Sequence, residues 1–272
     1  MQVKYSSEGL LIYAMMAVVA VGLVLGVMRK KQASVFAACL ACLVGLSAWI
    51  LRWITVDHIP MQNMFEVFLT LGVFLLPVGL AARRFAGIDH PSDGLGDFVL
   101  TLILLFPAGF VFSDAPQKLP PALQSPLFGP HVAVYMLSYV LMAKAALQAG
   151  LGLYYHSRSA KPSSGQLSSE DHELSAYLLV CLGFPLLSMG LFLGSVWGKL
   201  AWGDWWGWDP KELWSLACWL MYLFYFHWRY LFRQKMPRAN CVCVILGLVF
   251  IIITLLWVNL SNLFKGMHNY AS

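Results

Sequence analysis

The chain has 272 residues, 60% hydrophobic and 11% charged, with mean hydropathy +0.70 and formal net charge +5. A soluble domain carries about a quarter charged residues, so this composition excludes an ordinary soluble globule and points to a polytopic membrane protein surrounded by lipid. The basic residues are spread over short loops, where they set topology; no nucleic-acid partner is expected.

Eight apolar segments are long enough, or nearly so, to cross ~30 Å of hydrocarbon as helices. They run approximately Gly9–Met28, Ala33–Ile54, Met64–Ala81, Phe98–Phe112, His131–Tyr155, Ala176–Val196, Leu213–Tyr230 and Cys241–Trp257. The fourth is short and carries Pro107; Pro77 and Pro185 are candidate kinks in the third and sixth. The first is too long for a cleavable leader and lacks a basic region ahead of it, so no signal peptide is expected. The expected fold is all-α: one helical bundle over residues 1–272, with no internal repeat.

Lys and Arg orient it. One set of loops holds Arg29, Lys30, Lys31, Arg83, Arg84, Arg158, Lys161, Arg233, Lys235 and Arg238; the other holds scattered single charges, Lys118, Lys199, Lys211 and Lys265. The rich set is read as cytoplasmic, which places both termini outside, at the periplasmic face of a bacterial inner membrane or its thylakoid counterpart. Ser157–Ser175 reads as a polar cytoplasmic linker, and the proline-rich Ser113–Pro130 as ordered, extended outer chain.

Six of the eleven tryptophans fall between Trp197 and Trp214, in the outer loop joining helices six and seven. An aromatic belt places a Trp or two at each helix end; this density, interleaved with Gly, Asp, Pro, Lys and Glu, suits a clamp for a flat apolar ligand such as a porphyrin. Asp209, Pro210 and Glu212 also read as a helix start, with Asp209 as N-cap, Pro210 first and Glu212 third. Lys199, Lys211 and Lys265 could pair with haem propionates or anchor the interface.

Topology sorts the seven histidines. His90, His156 and His172 read as solvated cytoplasmic residues, and His58 lies in an outer segment. His131 opens the fifth helix and His268 follows the eighth, both on the Trp-rich face. Imidazole ligates haem iron, so the pair could hold one above and below the ring; two outer histidines can also occur by chance. His227, near the cytoplasmic end of helix seven, either snorkels beside Arg229 or binds a second iron with a ligand from another subunit. Cys39 and Cys42 form a C-x-x-C pair inside an apolar helix, where small packing residues explain them. Phosphate-loop, serine-hydrolase and zinc-protease signatures are absent.

Trp202-Gly203-x-x-Trp206-x-Trp208-Asp209-Pro210-Lys211-Glu212 resembles the "WWD" signature of haem-handling proteins in cytochrome c maturation, and within them the CcsA (ResC-like) family of system II. Pro60–Glu66, His131, His227 and His268 resemble family landmarks, and the resemblance spans roughly residues 45–272. It implies haem b brought to an outer site and presented to apocytochrome c, whose C-x-x-C-H thiols add across the haem vinyl groups. His131 and His268 would hold the outer iron; Trp202, Gly203, Trp205, Trp206, Trp208, Asp209, Lys211 and Glu212 would bind the macrocycle. His227 would hold an inner iron with a partner-chain ligand. The chain lacks the partner portion found in fused family members. It should therefore need a CcsB (ResB)-like subunit and act as part of a synthase complex rather than as an enzyme alone. Other readings are a haem handler serving a chaperone (CcmC-like), a non-catalytic haem-binding protein of tetrapyrrole metabolism (HemX-like), and a permease with an aromatic belt.

Overall fold

A computed structural model describes residues 3–87, 91–157, 168–232 and 235–258. All eight expected segments are helices: α1 (Ser7–Val27), α2 (Lys31–Val56), α3 (Met64–Ala86), α4 (Pro91–Phe110), α5 (Phe128–Ser157), α6 (Ser169–Trp202), α7 (Pro210–Phe232) and α8 (Pro237–Ile252). A π-helical turn, Ile253–Trp257, continues α8. Seven of these are long and apolar enough to cross a membrane. The exception is α7, whose 23 residues are sufficient in length, about 34 Å at 1.5 Å per residue. Its Trp, Tyr, His and Arg side chains lower its hydropathy.

The helices form an up-and-down bundle with two hydrophobic cores. One joins α1, α2, α3 and α4; the other joins α5, α6, α7 and α8. α3 serves both, sending Phe65, Leu69 and Leu76 into the first and Val67, Leu71 and Leu75 into the second. The helices run through Pro77, Pro107 and Pro185 unbroken.

Two boundaries depart from the sequence reading. α4 begins at Pro91 rather than near Phe98, because Asp93 and Asp97 are buried inside it against cations. Lys144 of α5 meets Asp93 at 3.2 Å and also contacts Asp97. Arg83 of α3 pairs with the same two carboxylates at 3.2 and 3.0 Å. α6 begins at Ser169 rather than near Ala176, started by a capping box between Ser168 and Asp171. The expected linker therefore contracts, since α5 runs to Ser157 and α6 starts at Ser169. His172 is not solvated: it is buried, its Nδ1 lies 2.7 Å from Gln148 Oε1, and it stacks on Tyr155. His156 is half-buried in the last turn of α5; His90 lies outside the described residues.

A second ionic cluster ties the end of the bundle that carries the Trp-rich loop. Arg52 of α2 and Glu66 of α3 are fully buried and joined by two hydrogen bonds of 3.0 and 2.8 Å. Arg52 Nη1 also donates to the Asp114 carbonyl at 2.6 Å. Glu66 accepts the Gln62 N–H at 2.9 Å, while Asn63 caps the Glu66 N–H at 3.0 Å. The Pro60–Glu66 segment is thus a helix start whose N3 carboxylate doubles as the counter-ion of a buried arginine.

Removing one partner of such a pair leaves an uncompensated buried charge, at a cost of about 3–5 kcal/mol. Arg52→Met is expected to destabilise the detergent-solubilised protein by that order. Adding Glu66→Gln should recover more than half of the loss. A double variant no more stable than the single in thermal unfolding would refute the electrostatic account.

Candidate functional site

The site is built where α6 stops. Gly203 takes φ +88°, a left-handed conformation open to glycine, and ends α6 with its N–H on the Lys199 carbonyl at 3.1 Å. The chain then loops to Asp209, whose Oδ1 accepts the Lys211 N–H at 2.9 Å. Pro210 is the first helical residue of α7. Glu212 Oε2 accepts the N–H groups of Gly207 (2.8 Å) and Asp209 (3.1 Å). The capping arrangement expected from sequence is present, with one bond more than a capping box supplies.

That additional bond brackets Trp208, a non-glycine residue at φ +56°. Such a conformation costs about 1–3 kcal/mol. Glu212 restrains it by accepting the N–H groups of the residues before and after it, Gly207 and Asp209.

The six tryptophans divide by position. Trp197 is 2% exposed and lines a cavity with Trp206. Trp202 packs edge-on against Trp197 at 4.8 Å. Trp205 and Trp208 are exposed at 57% and 67%, so they face outward from the loop. Trp214 sits farther along α7, against Phe250 of α8. Trp197 is anchored by its indole N–H, which donates to the Ala122 carbonyl at 3.2 Å. The proline-rich segment, with a single 3-10 turn at Pro121–Leu123, thereby braces the cavity wall.

The cavity contains about 1060 Å³ of empty space, counting its open mouth. It lies between the N-terminal ends of α3, α5 and α7, the C-terminal end of α6 and the π turn after α8. The structure brings His131, Trp206, Lys211 and Glu212 to it. His131 Nδ1 lies 2.9 Å from the Gly190 carbonyl oxygen. A carbonyl only accepts, so Nδ1 carries the proton and, in the neutral ring, Nε2 keeps its lone pair. The ring stacks on Trp197 at 5.9 Å and meets Tyr135 edge-on at 5.1 Å.

Other candidates lie elsewhere. His227 is exposed on α7, away from the cavity lining, its Nδ1 2.8 Å from the Leu223 carbonyl. Lys199 donates to the Gly203 carbonyl and caps α6. His58 lies between the carbonyls of Ile59 and Gln117. Cys39 is exposed and Cys42 half-buried on α2. His268 and Lys265 lie outside the described residues.

Sequence reasoning missed Tyr135 and Tyr139, which line the cavity one and two turns beyond His131. Their i+4 and i+8 spacing from a polar residue was the available signal. It also missed Gly190 and Gly194, one turn apart on α6, where the rings of Tyr135 and His131 approach.

The family model for "Cytochrome C assembly protein" matches residues 6–268. Curated relatives described as "Cytochrome c biogenesis protein CcsA" include one from Synechococcus sp. (strain WH7803), 33% identical over 265 residues, covering 82% of this chain and 80% of the relative. Another, from Prochlorococcus marinus (strain AS9601), is 30% identical and covers 91% of this chain and 88% of its own length. A third, from Cyanophora paradoxa, is 29% identical with 82% of each covered. The extent of these matches, together with a helical bundle carrying the Trp-rich loop beside His131, places the chain in the cytochrome c assembly family, among the CcsA cytochrome c biogenesis proteins.

Proposed function

We propose that this chain holds haem b in the cavity beside the Trp-rich loop and presents it to apocytochrome c, as one subunit of a synthase completed by a CcsB (ResB)-like membrane partner. The observation that carries the reading is His131. Its proton is committed to the Gly190 carbonyl, its ligating nitrogen is Nε2, and its ring lines a cavity shared with Trp197 and Trp206. The residues fit the group. The walls are largely aromatic and apolar, and Lys211 offers a cation for a propionate.

Haem supplies two vinyl groups; each accepts one cysteine thiol of the C-x-x-C-H segment, sulfur bonding one vinyl carbon and hydrogen the other. The chain's own residues bind and orient. His131 and His268 would hold the iron and Trp197 and Trp206 would contact the macrocycle, with Trp202 packed edge-on against Trp197. Glu212 and Asp209 keep the loop in one conformation, and Gly203 lets α6 end where the loop begins. Trp205 and Trp208, exposed on the loop, offer contact surface to the incoming peptide or to the partner subunit. Holding peptide and haem in one orientation supplies much of the acceleration.

The Trp-loop end is the extracytoplasmic one in this reading. The opposite end carries Arg29, Lys30, Lys31, Arg83, Arg84, Lys235 and Arg238, the bias that marks a cytoplasmic face. His227 serves a separate, inner position. Exposed on α7 with Nδ1 donating to the Leu223 carbonyl, it keeps Nε2 for an iron whose second ligand would come from the partner chain.

His131→Gly is expected to abolish the low-spin absorption of the reduced, detergent-purified protein, and added imidazole to restore it. An unchanged spectrum would remove His131 as a ligand; a well-folded wild type that takes up no haem would refute the proposal. His227→Ala should lower haem content only when the CcsB-like partner is co-expressed, and an equal fall in the lone chain would contradict a shared inner site.

A further inference from the structure

The seat of the His131 ring is made by one face of α6, and at Gly190 and Gly194 that face has no room for a side chain. A Cβ placed on Gly194 would fall 2.6 Å from His131 Cε1 and 3.2 Å from Nδ1. A Cβ on Gly190 would fall 2.9–3.0 Å from three carbons of the Tyr135 ring. Contacts below 3.0 Å force something to move, and here the rings are enclosed. Tyr135 is 8% exposed and meets His131 edge-on, while Trp197, 2% exposed and anchored to Ala122, stacks against His131. The Gly190 carbonyl, one turn from Gly194, takes the Nδ1 proton at 2.9 Å. Steric access at Gly194 and a hydrogen bond at Gly190 therefore converge on one imidazole.

We propose that Gly194 is a positioning residue for the iron ligand: its lack of a side chain lets His131 reach the Gly190 carbonyl, which sets both the tautomer and the direction of Nε2. The proposal rests on the haem reading above. It goes beyond it by assigning ligand geometry to α6, the helix that ends in the Trp-rich loop. Ligand and loop then move as one unit, because Gly190, Gly194 and Trp197 share the last turns of the helix that Gly203 terminates. A methyl group at position 194 pushes the ring off its acceptor and turns Nε2 away from the axial direction.

The test compares Gly194→Ala with Gly150→Ala in the full-length protein. Gly150 lies on α5, the helix of His131, and a Cβ there meets nothing within 4 Å, so it controls for glycine replacement in the same bundle. Two readouts are taken. The first is the absorption spectrum of the reduced protein after haem loading, with and without added imidazole. Gly194→Ala is expected to lose most of the low-spin signal and regain it with imidazole, as His131→Gly does, while Gly150→Ala matches wild type. The second is nitrogen NMR of haem-free protein labelled with ¹⁵N-histidine. The Nδ1–H signal that His131→Gly removes should shift or vanish in Gly194→Ala and stay in place in Gly150→Ala.

A wild-type spectrum and an unmoved nitrogen signal in Gly194→Ala would overturn the proposal. So would a loss of haem that imidazole does not restore, since that marks a collapsed cavity rather than a misplaced ligand. If wild type takes up no haem, the haem reading fails by itself. The nitrogen signal then still decides the positioning claim: a shift in Gly194→Ala supports it and no shift overturns it.

Discussion

An ionised side chain enclosed by apolar helices must find its counter-charge inside the protein, because no water is present to replace it. This constraint organises the bundle at both ends. Arg52 and Glu66 join α2 to α3 and draw in the chain after α4 through the Asp114 carbonyl. Lys144, Arg83, Asp93 and Asp97 join α3, α4 and α5. Glu173 of α6 receives Arg229 of α7 at 2.9 Å and Asn240 of α8 at 2.9 Å, with the Arg229 guanidinium 3.7 Å from the Tyr177 ring centre. Each cluster links helices that hydrophobic packing alone would leave free to slide.

The cavity exists because these ties hold the bundle ends while the interior above Tyr139 stays unfilled. Its walls use different physical means. The His131 side is rigid, a ring pinned between a glycine face, a stacked indole and a carbonyl acceptor. The Trp-loop side is held by hydrogen bonds against strain, with Glu212 restraining the left-handed Trp208. A rigid ring thus faces a loop held by two hydrogen bonds. The Trp indoles supply area, while the histidine supplies direction.

The same distinction separates the two histidine positions. Both His131 and His227 give Nδ1 to a backbone carbonyl and so present Nε2. For His131 the acceptor belongs to a neighbouring helix, so its geometry depends on how α5 packs on α6. For His227 the acceptor is Leu223, one turn back on α7, so its geometry is local and needs no partner to form. The His131 ring is therefore oriented by the tertiary fold, and the His227 ring by its own helix.

Much of this was legible in the sequence. Apolar runs marked all eight helices because chain length and hydropathy are local properties. Asp209, Pro210 and Glu212 announced the start of α7 because capping is decided within four residues. The Trp density and the position of His131 pointed to the end of the bundle where the cavity lies. The starts of α4 and α6, and the burial of His172, were not legible. Asp93, Asp97 and His172 look like solvated residues until Lys144, Arg83 and Gln148, distant in sequence, arrive to pair with them. Nor could sequence reveal that Gly190 and Gly194 form the seat of His131. Residues 59 and 63 positions apart become neighbours only when α5 and α6 pack. Local periodicity determined which elements this protein has; long-range pairing of charges and rings decided how the His131 ring is held.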